Sequence, residues 1–101
     1  MSNQLRSPPL PPRALQTRAE ATDYLETSPH ADVMRFLEGL QRLEDPRLQV
    51  RSFGTSPEGR DLPLMILSTR GVRTPEEAHA TGLPVVLIIN GIHAGEVEGK
   101  E

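Results

Sequence analysis

Pro84-Val85-Val86-Leu87-Ile88-Ile89-Asn90-Gly91-Ile92-His93-Ala94-Gly95-Glu96-Val97-Glu98-Gly99-Lys100-Glu101 is the stretch from which the fold is read. Residues 85–89 are apolar without alternation, which predicts a strand buried on both faces, as at the centre of a largely parallel sheet. The run stops at Asn90-Gly91, and His93 and Glu96 follow three residues apart. In open α/β sheets, ligands bind in the crevice just outside the carboxyl ends of the strands, so this pair falls where chemistry usually occurs.

Imidazole and carboxylate are both zinc ligands, at about 2.0–2.2 Å from the ion. The H-x-x-E spacing puts the two donors on one side of a turn or first helical turn, close enough to share one metal ion. Gly91 and Gly95 allow the tight backbone this requires. A lone H-x-x-E also arises by chance, with Glu96 serving as an anion near a helix N-terminus and His93 as a loop donor. The buried strand before it, the glycines around it and the order of elements upstream favour the metal.

Working outward from the motif, Thr74-Pro75-Glu76-Glu77 reads as a capping box, with Thr74 as N-cap and Glu77 reaching back. Residues 78–80 continue a short helix that Gly82 closes. His79 lies on it and reads as an exposed helix-end histidine. Further upstream, Leu48, Val50 and Phe53 predict one short strand, and Leu62, Leu64 and Ile66 a second. The loop between them, G-T-S-P-E-G-R at 54–60, is short enough for a hairpin. Glu58 and Arg60 read as a surface ion pair in that loop. Pro63 belongs near the start of its strand, because proline cannot donate to a ladder. Ser28 as N-cap and Pro29 at the first helical position open a longer helix. Val33, Phe36, Leu37, Leu40 and Leu43 form its apolar stripe, and Asp45-Pro46 ends it. His30 sits at its start. Residues 1–22 read as a disordered proline-rich tail. There, Pro8, Pro11 and Arg13 fit a P-x-x-P-x-R pattern, read as a plain stiff tail rather than a docking ligand.

Taken together, these residues resemble the zinc carboxypeptidase family, whose first zinc-binding element is a buried strand followed by G-x-H-x-x-E, here Gly91 to Glu96. The likeness reaches upstream to about Ser28. It implies an α/β fold with a mixed, mostly parallel sheet and flanking helices, of which residues 23–101 would be the N-terminal part of the catalytic domain, incomplete at the C-terminus. It also implies Zn²⁺ as cofactor, His93 and Glu96 as metal ligands, and a peptide or amide substrate cleaved at a C-terminal peptide bond. No catalytic residue is carried over onto this chain. A second histidine, a carboxylate-gripping arginine and a glutamate general base would lie beyond Glu101, and the chain alone would be inactive. Three positions depart from the family pattern. Gly95 stands where many members have a substrate-binding arginine, Val97 where an aromatic is frequent, and Asn90 where a glycine is common. These put the substrate in question more than the metal. An alternative is a zinc deacylase resembling aspartoacylase and succinylglutamate desuccinylase, which uses a similar H-x-x-E. A third reading is a non-catalytic interaction piece with a proline-rich tail.

Composition narrows the remaining classes. The chain has 101 residues, 25% of them charged, and a net charge of −3. Lys100 is the only lysine, the arginines are scattered, and Tyr24, Phe36 and Phe53 are the only aromatics, which argues against a nucleic-acid face. There is no cysteine, so thiolate metal sites and disulfides are excluded. No segment approaches the ~18–20 apolar residues of a membrane span, and no apolar signal region is visible. A cytoplasmic location is the default expectation, with export implied as an option by the family resemblance. The sequence does not specify an oligomeric state.

Overall fold

The computed structural model describes residues 15–101. The elements run α1 (Arg18–Ala21), α2 (His30–Gln41), β1 (Leu48–Thr55), β2 (Asp61–Leu67) and α3 (Pro75–Ala80). β1 and β2 form an antiparallel hairpin, and theirs is the sheet found among the described residues.

The hairpin register runs from Leu48 opposite Leu67 to Ser52 opposite Pro63, then resumes with Gly54 opposite Leu62. Phe53 is thereby skipped in a β-bulge and is 67% exposed. Proline has no N–H to give to a ladder, and a bulge is one of the few places in a sheet that tolerates it. Pro63 thus sits at the irregularity.

The expected mostly parallel sheet is not what these residues form. Residues 85–89 are not in a strand, and their side chains are 62–78% exposed. The reason is that an apolar run specifies burial without supplying a partner. β1 and β2 satisfy each other, and among the described residues no further strand lies beside 85–89 to complete a ladder.

α2 packs its stripe on the hairpin. Val33, Phe36, Leu37 and Leu40 are half-buried, and with Met65 they line a cavity of about 240 Å³ that also meets Gly99, Lys100 and Glu101. Leu43 lies past the end of α2 and is exposed. Among the described residues no hydrophobic side chain is fully buried. The helix begins one residue later than expected. Pro29 is the N-cap and makes no side-chain cap bond, so Ser28 does not cap the helix. Its hydroxyl instead accepts from the Arg18 N–H at 3.4 Å.

α1 lies within the stretch expected to be a tail. Thr17 and Glu20 form a capping box, the Glu20 N–H donating to Thr17 Oγ1 at 3.1 Å and the Thr17 N–H to Glu20 Oε1 at 2.9 Å. Pro8, Pro11 and Arg13 lie outside the described residues. Arg18 ties α1 to α2, its Nε donating to Asp32 at 2.5 Å and its Nη1 to Glu26 at 3.2 Å. Arg35 pairs with the same Asp32. The Arg18 hydrogen bond is the main reason the Asp32 carboxyl lies below its usual range. His30 Nε2 donates to the Asp61 carbonyl at 2.8 Å, joining the start of α2 to the start of β2. At α3, Thr74 Oγ1 accepts from the Glu77 N–H at 3.1 Å as the capping box requires. The Glu77 carboxylate accepts from Arg73 N–H at 2.7 Å, one residue before the cap rather than at it. Among the described residues no helix is long and apolar enough to cross a membrane.

Candidate metal centre

His93 and Glu96 lie on one turn with their donor atoms facing each other. The separation between His93 Nδ1 and Glu96 Oε1 is 2.6 Å. A carboxylate can only accept, so Nδ1 carries the proton and donates. The same carboxylate accepts from the Ile92 N–H at 3.0 Å through Oε2. The turn itself is closed by the Glu96 N–H donating to the His93 carbonyl at 3.3 Å. The hydrogen bond from the His93 ring is the largest influence on the Glu96 carboxyl and draws it below its usual range, assisted by N–H donors in the turn. Solvent reaches both groups, the His93 side chain being 79% and that of Glu96 37% exposed.

Two glycines make this path available. Gly95 has φ +90° and Gly99 has φ +92°, in the left-handed region that side chains with a Cβ rarely enter. At Gly99 a Cβ would also collide with the side chain of Asn90, so Asn90 and Gly99 close the loop that carries the pair. Residues 98–100 form a turn rather than the start of a helix. The left-handed Gly99 interrupts any such helix.

The donor set fits a zinc ion in type and access. One imidazole nitrogen and one carboxylate oxygen face each other, separated by a proton that a divalent cation can replace. Two donors on one tetrahedral zinc stand about 3.4 Å apart, from bond lengths of roughly 2.1 Å. The pair at 2.6 Å is therefore hydrogen-bonded and closer than two donors on one zinc ion would stand.

The other histidines are engaged elsewhere. His30 is bound to the Asp61 carbonyl, and His79 sits in the last turn of α3. Glu58 and Arg60 form an exposed ion pair at 2.8 Å in the hairpin loop. Among the described residues no three His, Asp or Glu side chains converge as a metal site. Sequence reasoning missed the Ile92 N–H and the Asn90–Gly99 contact. The signal for the latter was present in Asn90-Gly91 and the glycine eight residues on.

A comparison with protein-family models matches residues 33–101, more than half of the chain, to the model described as zinc carboxypeptidase. No curated protein and no solved structure matches the chain. The matched span holds α2 from Val33 onward, the hairpin, α3 and the whole His93–Glu96 turn, and the chain belongs to the zinc carboxypeptidase family.

Proposed function

We propose that the chain supplies two zinc ligands, His93 and Glu96, to a metallocarboxypeptidase that hydrolyses C-terminal peptide bonds. The observation that carries this reading is the 2.6 Å approach of His93 Nδ1 to Glu96 Oε1 on a solvent-reached turn within the matched span. The chemistry that a zinc ion supplies when bound is polarisation of the scissile carbonyl and activation of water near neutral pH.

The chain's own residues set the conditions for binding. For Nδ1 to meet an ion, the proton that it now donates to Glu96 must move to Nε2, the other neutral tautomer, and the hydrogen bond to Glu96 must be given up. Glu96 is already ionised at neutral pH, because the His93 ring and the turn's N–H groups favour its charged form. The Ile92 N–H holds one carboxylate oxygen and leaves the other turned to the imidazole. A catalytic zinc takes three protein ligands. On this reading residues 23–101 are the N-terminal part of the catalytic domain. The third ligand, the general base and the carboxylate-gripping arginine then come from beyond the residues described.

The test is zinc content after dialysis in wild type, His93→Ala and Glu96→Ala, alongside cleavage of peptides with free and amidated C-termini. Substoichiometric zinc that disappears in both variants, with no cleavage by the 101-residue chain, is the expected result. Equal zinc in all three proteins would overturn the ligand assignment.

A further inference from the structure

We propose that Glu101, gripped by Thr27, Ser28 and Ala19, is a positioning residue that holds the His93–Glu96 turn against the α1–α2 segment; this rests on the zinc reading above. Glu101 Oε1 accepts from Thr27 Oγ1 at 2.8 Å and from the Ser28 N–H. Its Oε2 accepts from the Ala19 N–H at 3.3 Å. Three donors from two separate stretches of chain therefore converge on one carboxylate, more than 70 residues away in sequence. Ser28 is the one residue classed as buried among those described, at 4% exposure, so the grip sits at the most enclosed point of the structure.

The grip matters for the metal turn because of what the opposite end of the turn lacks. The turn is entered from residues 85–89, which are 62–78% exposed and lie in no strand. Its N-terminal side therefore has no ladder to fix it. Its C-terminal side runs through Gly99, packed on Asn90, into Lys100 and Glu101. These last residues also border the cavity lined by Val33, Phe36 and Leu37 of α2. Glu101 is five residues beyond Glu96, so this end is where the turn is tied to the body of the protein.

The chemistry of the contact is specific to a carboxylate. Two oxygens accept from three donors, whereas a glutamine offers one acceptor and turns an NH₂ towards an N–H or O–H. Partial burial pushes the Glu101 carboxyl up, but Ser28, Thr27 and Ala19 outweigh it and bring it down to about 2. Ala19, Thr27 and Ser28 all precede residue 33, where the zinc carboxypeptidase match begins. The likeness therefore does not contain the gripping half.

The test compares wild type, Glu101→Gln and the shape-conserving Thr27→Val in the 101-residue chain. Amide hydrogen exchange is followed by NMR, and Zn²⁺ alone is titrated against the His93 ring signals. In Glu101→Gln, exchange should accelerate about tenfold at Ala19 and Ser28 and also at Ile92, whose N–H reports the turn. Zn²⁺ should bind about 10–100-fold more weakly, the range for loss of a group that orients a ligand. Thr27→Val should show smaller changes at the same positions, and the β1–β2 amides should be unaffected in both variants. A response at Ala19 and Ser28 with Ile92 and Zn²⁺ affinity unchanged would make Glu101 merely structural and overturn the proposal. So would a wild type with no protection at Ser28. If the Glu101 variant unfolds the hairpin, Thr27→Val decides between the same two outcomes. If wild type binds no Zn²⁺ through His93 and Glu96, the zinc reading fails, and the Ile92 amide alone judges the grip.

Discussion

Replacing Leu87 or Ile88 with lysine should leave the folded part of this chain intact, against what the sequence of residues 85–89 suggests. Fully burying a valine, leucine or isoleucine is worth about 1.5–3 kcal/mol. The five side chains here keep 62–78% of their surface in water. Roughly 0.7 of that transfer energy is unrealised over five residues, or about 5–10 kcal/mol. That is comparable with the whole stability of an ordinary domain, about 5–15 kcal/mol. The run therefore contributes little to holding α2 on the hairpin. Each lysine should shift stability by no more than about 0.5 kcal/mol, as surface substitutions do. Leu87 and Ile88 are adjacent and point to opposite sides of an extended chain. A cover on either face would expose itself in one of the two variants. The assay is native-state hydrogen exchange at the Arg51 and Leu64 amides, which face each other across the hairpin, with ANS fluorescence at low protein concentration. Dye binding by wild type and its reduction in both variants complete the expected result. A loss above about 2 kcal/mol in either variant would show that the run is covered and refute the reasoning, since truncating a buried leucine costs about 2–5 kcal/mol.

Two further outcomes follow from the turn and its grip. Glu101 has its carboxyl at about 2 in the folded chain, below the ordinary 4.5. A depressed acid stabilises the fold above its unfolded value and loses that contribution as pH falls towards 2. Ser28 amide protection should therefore be constant above about pH 5 and decline between pH 4.5 and 2, and a flat profile across that window would contradict the assignment. Gly99→Ala should open the loop, since φ +92° disfavours a Cβ and Asn90 fills the space it would need. A cost of about 1–3 kcal/mol for such a backbone position should appear as faster exchange at Ile92, and unchanged Ile92 protection would show that the loop tolerates the methyl.

The elements that could be read from the sequence are those whose determinants lie within a few residues. The apolar stripe of α2, the turn-rich loop between two short strands, and Thr74 with Glu77 at α3 each specify themselves locally. The H-x-x-E turn belongs with them, because its hydrogen bonds join residues no more than four apart. What could not be read depends on distant partners. The apolarity of residues 85–89 demands cover but does not say which strand supplies it, and among the described residues none does. Ser28 looked like a helix cap, being a serine just before a helix. Its N–H is instead committed to Glu101, 73 residues away. Phe53 fitted the strand pattern, but Pro63 on the opposite strand, lacking an N–H, coincides with the bulge that skips it.

The same division between local and distant determinants separates the pairing of the two proposed metal ligands from their placement. His93 and Glu96 find each other through bonds confined to residues 92–96, so the pair forms wherever that stretch is allowed to turn. Each such bond is worth only about 0.5–1.5 kcal/mol net, and the turn lies in solvent with no strand holding its entrance. An ion that meets the turn open must first supply the free energy of closing it. A grip on Glu101 reduces that cost without touching either ligand, by restricting where residues 97–101 can go. Zinc affinity in this chain should then follow the order of the α1–α2 segment as closely as it follows the identity of the ligands. Loosening Thr27 or Ala19 would lower affinity while leaving the 2.6 Å His93–Glu96 contact chemically unchanged.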